Sequence, residues 1–161
     1  MASGGKKWRA VLVHSVRTTA VAIASLLVAR LCRLPQSYWA PLTALVITQS
    51  SLGAALDVSR QRLMGTVLGA ALGAVATTYF HPSLLLFAVC VFLLGLLCAV
   101  TRSSNSAYRF GGVTLAIVVL IPRSAPAWVV GLHRFAEVSV GILVALLFAY
   151  VWPEPDTAAS S

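Results

Sequence analysis

Long apolar segments alternate with short polar segments along almost the whole chain. Six of the apolar segments reach or approach the roughly 20 residues that a membrane-spanning helix needs. Backbone polar groups inside a bilayer must be satisfied within their own segment, so each segment is predicted to be an α-helix. The chain is therefore predicted to be an all-α membrane protein. The predicted transmembrane helices are residues 12–31, 37–53, 63–79, 83–100, 109–121 and 130–152.

The polar segments predict how the chain crosses the membrane. We expect residues 1–11 to form a basic N-terminus, residues 54–62 a charged loop and residues 153–161 a short polar tail. With six spans, both termini lie on one side. The flanking segments on that side would carry Lys6, Lys7, Arg9, Arg60, Arg62, Arg102 and Arg109, against Arg30, Arg33, Arg123 and Arg134 on the other. Because cytoplasmic loops are enriched in Lys and Arg, both termini are predicted to be cytoplasmic, in a cell (inner or plasma) membrane.

Composition supports the bilayer as the solvent. Hydrophobic residues make up 59% of the chain and charged residues only 10%, whereas a soluble domain carries about 25% charged residues. Twelve Lys or Arg face four Asp or Glu, an excess that cytoplasmic loops explain. No basic run is interleaved with aromatic residues, so no nucleic-acid partner is predicted.

No motif indicates an enzyme. The three cysteines and three histidines are scattered without the spacing of a metal site. A nucleophile–His–acid set, a glycine-rich phosphate loop and a pair of carboxylates in one site are all missing from the sequence. We therefore predict no catalytic residue, no metal and no cofactor.

A glycine stripe lies in the third apolar segment. Gly65, Gly69 and Gly73 recur at four-residue spacing and fall on nearly one line of a helix. So much glycine weakens a helix in water, at roughly 1 kcal/mol each against alanine. In lipid the same stripe lets two helix backbones approach closely. We predict that these glycines pack against another helix.

An internal repeat is suggested by two segments 72 residues apart. Arg62 is followed seven residues later by Gly69, and Arg134 seven residues later by Gly141. Thr43 and Thr114 correspond loosely in the preceding spans. Three spans per copy would give the second copy the opposite topology, a 3+3 inverted repeat as in many transporters. Chance similarity between two apolar helices is the alternative.

The segment from Tyr38 to Ala74 resembles the membrane module of the fusaric acid resistance and aromatic acid exporter family. The matching motifs are Tyr38-Trp39-Ala40, Thr43-Ala44, Gln49 and Arg62-Leu63-Met64-Gly65-Thr66-Val67-Leu68-Gly69. The resemblance covers about residues 10–153 and is most specific over residues 38–69. It implies an inner-membrane exporter of small organic anions, aromatic carboxylic acids above all. The membrane part of plant aluminium-activated malate channels, which are dimers of six-span subunits, is distantly similar.

The resemblance also bears on assembly. Many family members carry cytoplasmic domains or a second membrane module, whereas only a short tail follows the last predicted span here. We therefore expect a homodimer or higher oligomer, with the lipid bilayer and a small organic anion as its other partners.

Charged residues in or beside the spans are the first candidates for chemistry. Arg62 and Arg134 could bind an anionic substrate, since a guanidinium matches carboxylate geometry, or they could anchor helix ends at the headgroups. Arg17 could line an anion path or serve as a similar anchor. Glu137 could couple transport to protons, or it could form a structural ion pair with Arg134 three residues earlier.

Polar and aromatic residues of the second span are further candidates. Tyr38 and Trp39 could stack on an aromatic substrate, although aromatic residues commonly mark the membrane interface. Gln49 could line a polar cavity or form a hydrogen bond between helices.

Three functions remain open from the sequence. The first is a proton-driven exporter of organic anions, the second an anion channel of the malate-channel type, and the third a membrane subunit or scaffold that transports nothing alone.

Overall fold

The computed structural model describes residues 3–48, 52–101, 105–121 and 125–152. Over these residues it contains six α-helices and no β-strand, which confirms the all-α class. The helices are α1 (Ser3–Leu31), α2 (Trp39–Ile47), α3 (Leu52–Tyr79), α4 (Leu84–Val100), α5 (Asn105–Leu120) and α6 (Ala127–Val151).

The charged loop predicted at residues 54–62 is wrong. This segment is helical, and α3 runs through it for 28 residues. The segment contains no proline or glycine, and its alanines, leucine, glutamine and arginines are good helix formers. Charge alone does not end a helix. Arg62 consequently lies well inside α3 rather than at its beginning.

Among the residues that the structure describes, two helices are long and apolar enough to cross a membrane: Val11–Leu31 of α1, and α6. The helices α4 and α5 are apolar but shorter, with 17 and 16 residues. Six transmembrane spans and two cytoplasmic termini therefore stay predictions. Gln49 and the tail at residues 153–161 lie outside the described residues.

The chain divides into two compact units. The first comprises Met1–Leu56 and Val140–Ser161, and in it α1 packs along α2. The buried face of α1 repeats every four residues, at Arg17, Val21, Ser25 and Ala29. This spacing is the one that keeps side chains on one helix face.

The second unit comprises Asp57–Ser139. Its apolar core is built from α3, α4 and α5, with α4 packed along α5. The buried core residues are Ala76, Cys90, Leu94, Cys98, Leu115 and Val119.

The outer face of α4 is apolar. Its exposed large side chains include Leu84, Leu85, Val89, Phe92, Leu93 and Leu96. A contiguous apolar face of this kind is unfavourable in water and suits contact with lipid.

Candidate anion-binding site

The glycine stripe of α3 brings that helix against the backbone of α5. A Cβ at Gly65 would clash with the Ala107 carbonyl oxygen and lie 2.8 Å from the Gly111 nitrogen. A Cβ at Gly69 would clash with the Gly111 carbonyl oxygen. Backbone cannot move aside as a side chain can, so only glycine fits at these two positions. The close approach fixes which residues of α3 and α5 face each other.

Arg62 lies one helical turn before Gly65 and shares its buried face. Its side chain carries one of the few charges in the interior, at 9% exposure. The guanidinium carbon lies 4.7 Å from the centre of the Phe110 ring on α5, which is cation–π geometry. Below it, the buried Thr66 hydroxyl donates a hydrogen bond of 2.8 Å to the Arg62 carbonyl oxygen. The helix thereby satisfies its own polar groups next to the arginine.

Arg134 and Glu137 form an ion pair inside α6. Arg134 Nη1 lies 3.3 Å from Glu137 Oε2, and the two side chains are only 3% and 1% exposed. Residues three apart on a helix lie on one face, so the pair follows from the sequence spacing. The structure thus contains the ion pair that the sequence suggested.

Arg62 and Arg134 are both buried in the second unit, where the positive charge of Arg134 opposes that of Arg62. Two guanidinium groups and one carboxylate, +2 and −1, leave these three side chains with a net charge of +1. Burying charge is costly unless the charges are paired. An arginine pair with excess positive charge is suited to a planar anion such as a carboxylate, to which a guanidinium can donate two parallel hydrogen bonds.

The other predicted site residues belong to the first unit. Arg17 is 2% exposed on the buried face of α1. Tyr38 is exposed, and its ring contacts that of Trp39 with the ring centres 5.8 Å apart. The fourth, Gln49, is not among the described residues. Among the predicted site residues, Arg62, Arg134 and Glu137 are buried in the second unit.

Phe110 contacts Arg62 and is not among the residues that the sequence predicts. It stands immediately before Gly111-Gly112 in α5, and an aromatic residue beside small residues is common in apolar helices. Only the pairing of Gly65 and Gly69 with Gly111 identifies its position over Arg62.

An open apolar groove of about 290 Å³ lies between α3 and α6 in the second unit. Small residues line part of it, and Gly131 of α6 lies against Ala70 of α3. Larger side chains, among them Trp128, Leu132 and Phe135, also line it. None of the predicted site residues that the structure describes lines it.

The apolar outer face of α4 and the two helices long enough to cross a membrane are typical of an α-helical membrane protein. The chain belongs to the fusaric acid resistance protein-like family, whose sequence profile matches residues 20–148. The resemblance identified in the sequence is thereby confirmed.

Several relatives come from Escherichia coli K12. The chain is 32% identical to inner membrane protein YeeA over 148 residues, which cover 89% of the chain and 41% of YeeA. It is 28% identical to the uncharacterized transporter YdhK over 163 residues, covering 96% of the chain and 24% of YdhK. The chain is 25% identical to inner membrane protein YccS over 142 residues, which cover 88% of the chain and 20% of YccS. The chain thus spans between about a fifth and two fifths of these relatives. No solved structure matches it.

Proposed function

We propose that this chain forms the membrane module of an inner-membrane transporter that exports small organic anions, with aromatic carboxylates as the substrate class and the proton gradient as the energy source. The observation that carries the proposal is the buried Arg62, Arg134 and Glu137 cluster, with its excess positive charge. Family membership and the relatives, named as inner membrane proteins and a transporter, support the same role.

Burial favours anion binding over headgroup anchoring at both arginines. An anchoring arginine extends its guanidinium to the interface, whereas Arg62 and Arg134 are 9% and 2% exposed. A substrate carboxylate would meet two guanidinium groups and would compete with Glu137 for Arg134. Protonation of Glu137 would weaken its hold on Arg134, so anion binding and proton movement would be linked.

An inverted repeat belongs to the proposal, and two matching contacts support it. Gly69 contacts the backbone of Gly111, three residues before Thr114. Gly141 contacts the backbone of Ala40, three residues before Thr43, and the Thr43 side chain itself. Each glycine stands seven residues after an arginine. In both cases the second helix of one half contacts the third helix of the other half. An inverted repeat requires this reciprocal arrangement.

Flux through proteoliposomes tests the proposal. Vesicles containing the purified chain should move radiolabelled benzoate at a rate that depends on the pH difference across the membrane. A charged hydrogen bond contributes about 1.5–3 kcal/mol, so Arg62→Ala should raise the KM for benzoate about tenfold to a hundredfold. Arg60→Ala is the matched control, because Arg60 is an exposed arginine two residues earlier on the same helix.

A second variant tests the coupling. Glu137→Gln keeps the shape of the side chain and removes its charge, so it should abolish the dependence of flux on the pH difference. Unchanged dependence in this variant would contradict proton coupling through Glu137. Conductance with little pH dependence would indicate a channel, and a lack of flux unless a partner protein is added would indicate a subunit.

A further inference from the structure

We infer that Phe110 is a positioning residue of the anion site, which holds the guanidinium of Arg62 by its face so that the in-plane N–H groups are presented to a planar carboxylate. This inference rests on the proposed anion site. It assigns a role to a residue of α5, a helix that carries none of the charged groups of that site.

The stack between Arg62 and Phe110 has the geometry of a true interaction. The guanidinium carbon lies 4.7 Å from the ring centre, inside the limit of about 6 Å for cation–π attraction. Desolvation strengthens this attraction, and Arg62 is more than nine-tenths buried. The guanidinium carbon lies over the face of the ring, and in the stacked arrangement that we infer the N–H donors lie in the guanidinium plane, away from the ring. Stacking and anion binding therefore use different parts of the same group.

The packing of α3 on α5 holds the two partners in register. Phe110 stands between Ala107 and Gly111 in α5, and both of these contact the backbone at Gly65 of α3. Gly69 contacts Gly111 one turn further on. Because these contacts are made by backbone atoms, α5 cannot slide along α3 without a clash. The Phe110 ring is consequently held over Arg62, which lies one helical turn before Gly65 on α3.

The side chain of Arg62 needs a contact that holds it in place, because the positive charges of Arg62 and Arg134 repel each other. An arginine side chain has four rotatable bonds, and repulsion by Arg134 would favour rotamers that turn the guanidinium of Arg62 away. Attraction to the ring opposes that rotation. A bidentate bond to a carboxylate requires the guanidinium plane to be set in advance. Phe110 thus contributes to affinity without contact with the anion.

Substitutions of Phe110 that separate the ring face from side-chain size test the inference. Phe110→Leu keeps an apolar side chain and removes the ring face, whereas Phe110→Tyr keeps the face. We expect Phe110→Leu to raise the KM for radiolabelled benzoate about 3- to 30-fold, with kcat retained, and Phe110→Tyr to stay close to the wild type. Phe135→Leu makes the same change on α6, at a partly exposed groove residue, and is the matched control.

The outcomes separate this inference from the anion site on which it rests. If Arg62→Ala raises KM and Phe110→Leu does not, the role of Phe110 is overturned and the site stands. If Arg62→Ala leaves KM unchanged, the anion site itself fails. Equal effects of Phe110→Leu and Phe110→Tyr, or a loss of kcat and thermal stability with KM unchanged, would also overturn the inference. Size-exclusion profiles and melting temperatures of all variants identify any that fail to fold.

Discussion

Arg62 and Arg134 each stand seven residues before a glycine, 72 positions apart, and their surroundings differ. Arg62 stacks on the Phe110 ring of a neighbouring helix, whereas Arg134 pairs with Glu137 of its own helix. The difference arises from one pair of residues that are 72 positions apart. Three residues after the arginine, α3 has Gly65 and α6 has Glu137. Gly65 lets the backbone of α5 approach closely, and this approach places Phe110 against Arg62. Glu137 instead supplies a negative charge next to Arg134 on the same helix.

The two segments agree where both have glycine. Gly69 contacts the Gly111 backbone in the second unit, and Gly141 contacts the Ala40 backbone in the first. Close helix packing is thus common to both segments. They differ in the group that stabilises the buried arginine. One segment holds its arginine through tertiary packing, the other through local spacing. Changes to the packing and to the charges should therefore have separable effects.

The largest effect is expected from breaking the packing of α3. Gly69→Leu forces a side chain against the Gly111 carbonyl oxygen, a clash that backbone cannot relieve. Overpacking in a well-packed core costs about 1–3 kcal/mol and sometimes more, and this case should exceed that range. We expect loss of the monodisperse peak in size-exclusion chromatography in detergent.

Ala71→Leu is the matched control for Gly69→Leu. Ala71 is exposed, two residues further along the same helix, so a leucine there should change stability by less than about 0.5 kcal/mol. A folded Gly69→Leu protein with wild-type thermal stability would contradict the close packing of α3 on α5.

A smaller effect is expected from the charges of α6. Removing one partner of a buried ion pair costs about 3–5 kcal/mol, so Glu137→Leu should lower the free energy of unfolding by that amount. The double variant Arg134→Met with Glu137→Leu replaces both charges by apolar groups and should recover most of the stability. Denaturant titration of the detergent-solubilised protein measures both.

Benzoate flux through the double variant distinguishes the two roles of the pair. If Arg134 binds the anion, the recovered stability should come without recovered transport. Wild-type flux in the stable double variant would show that the pair is structural only.

The smallest effect is expected at the counterpart glycine in the first unit. A Cβ at Gly141 would clash with the Ala40 carbonyl oxygen and lie 2.7 Å from Thr43 Cβ. Gly141→Ala should therefore cost about 1–3 kcal/mol, visible as a lower melting temperature. Gly53→Ala, at a position with no atom within 4 Å of an added Cβ, should be neutral or stabilising by up to about 1 kcal/mol. Equal melting temperatures for the two variants would argue against tight packing at Gly141.

Composition and the spacing of residues within one helix are sufficient to predict several features of this protein. The apolar segments indicate the bilayer, because too few polar residues exist to cover a soluble globule. The ion pair of Arg134 and Glu137 follows from the three-residue spacing, because 3.6 residues per turn puts both on one face. The start of α3 differs from the prediction, because charged residues favour a loop in a segment that contains no helix-breaking residue.

The residue that packs over Arg62 cannot be predicted from spacing within one helix, because it belongs to a different helix. The glycine stripe indicated that some helix would approach α3 but did not identify it. The partner is α5, whose Gly111 contacts Gly65 and Gly69 and carries Phe110 into place. Residues 62 and 110 are 48 positions apart in the sequence, so no helical period relates them. Their contact depends on which surfaces of two separate helices pack together, and that is a property of the fold.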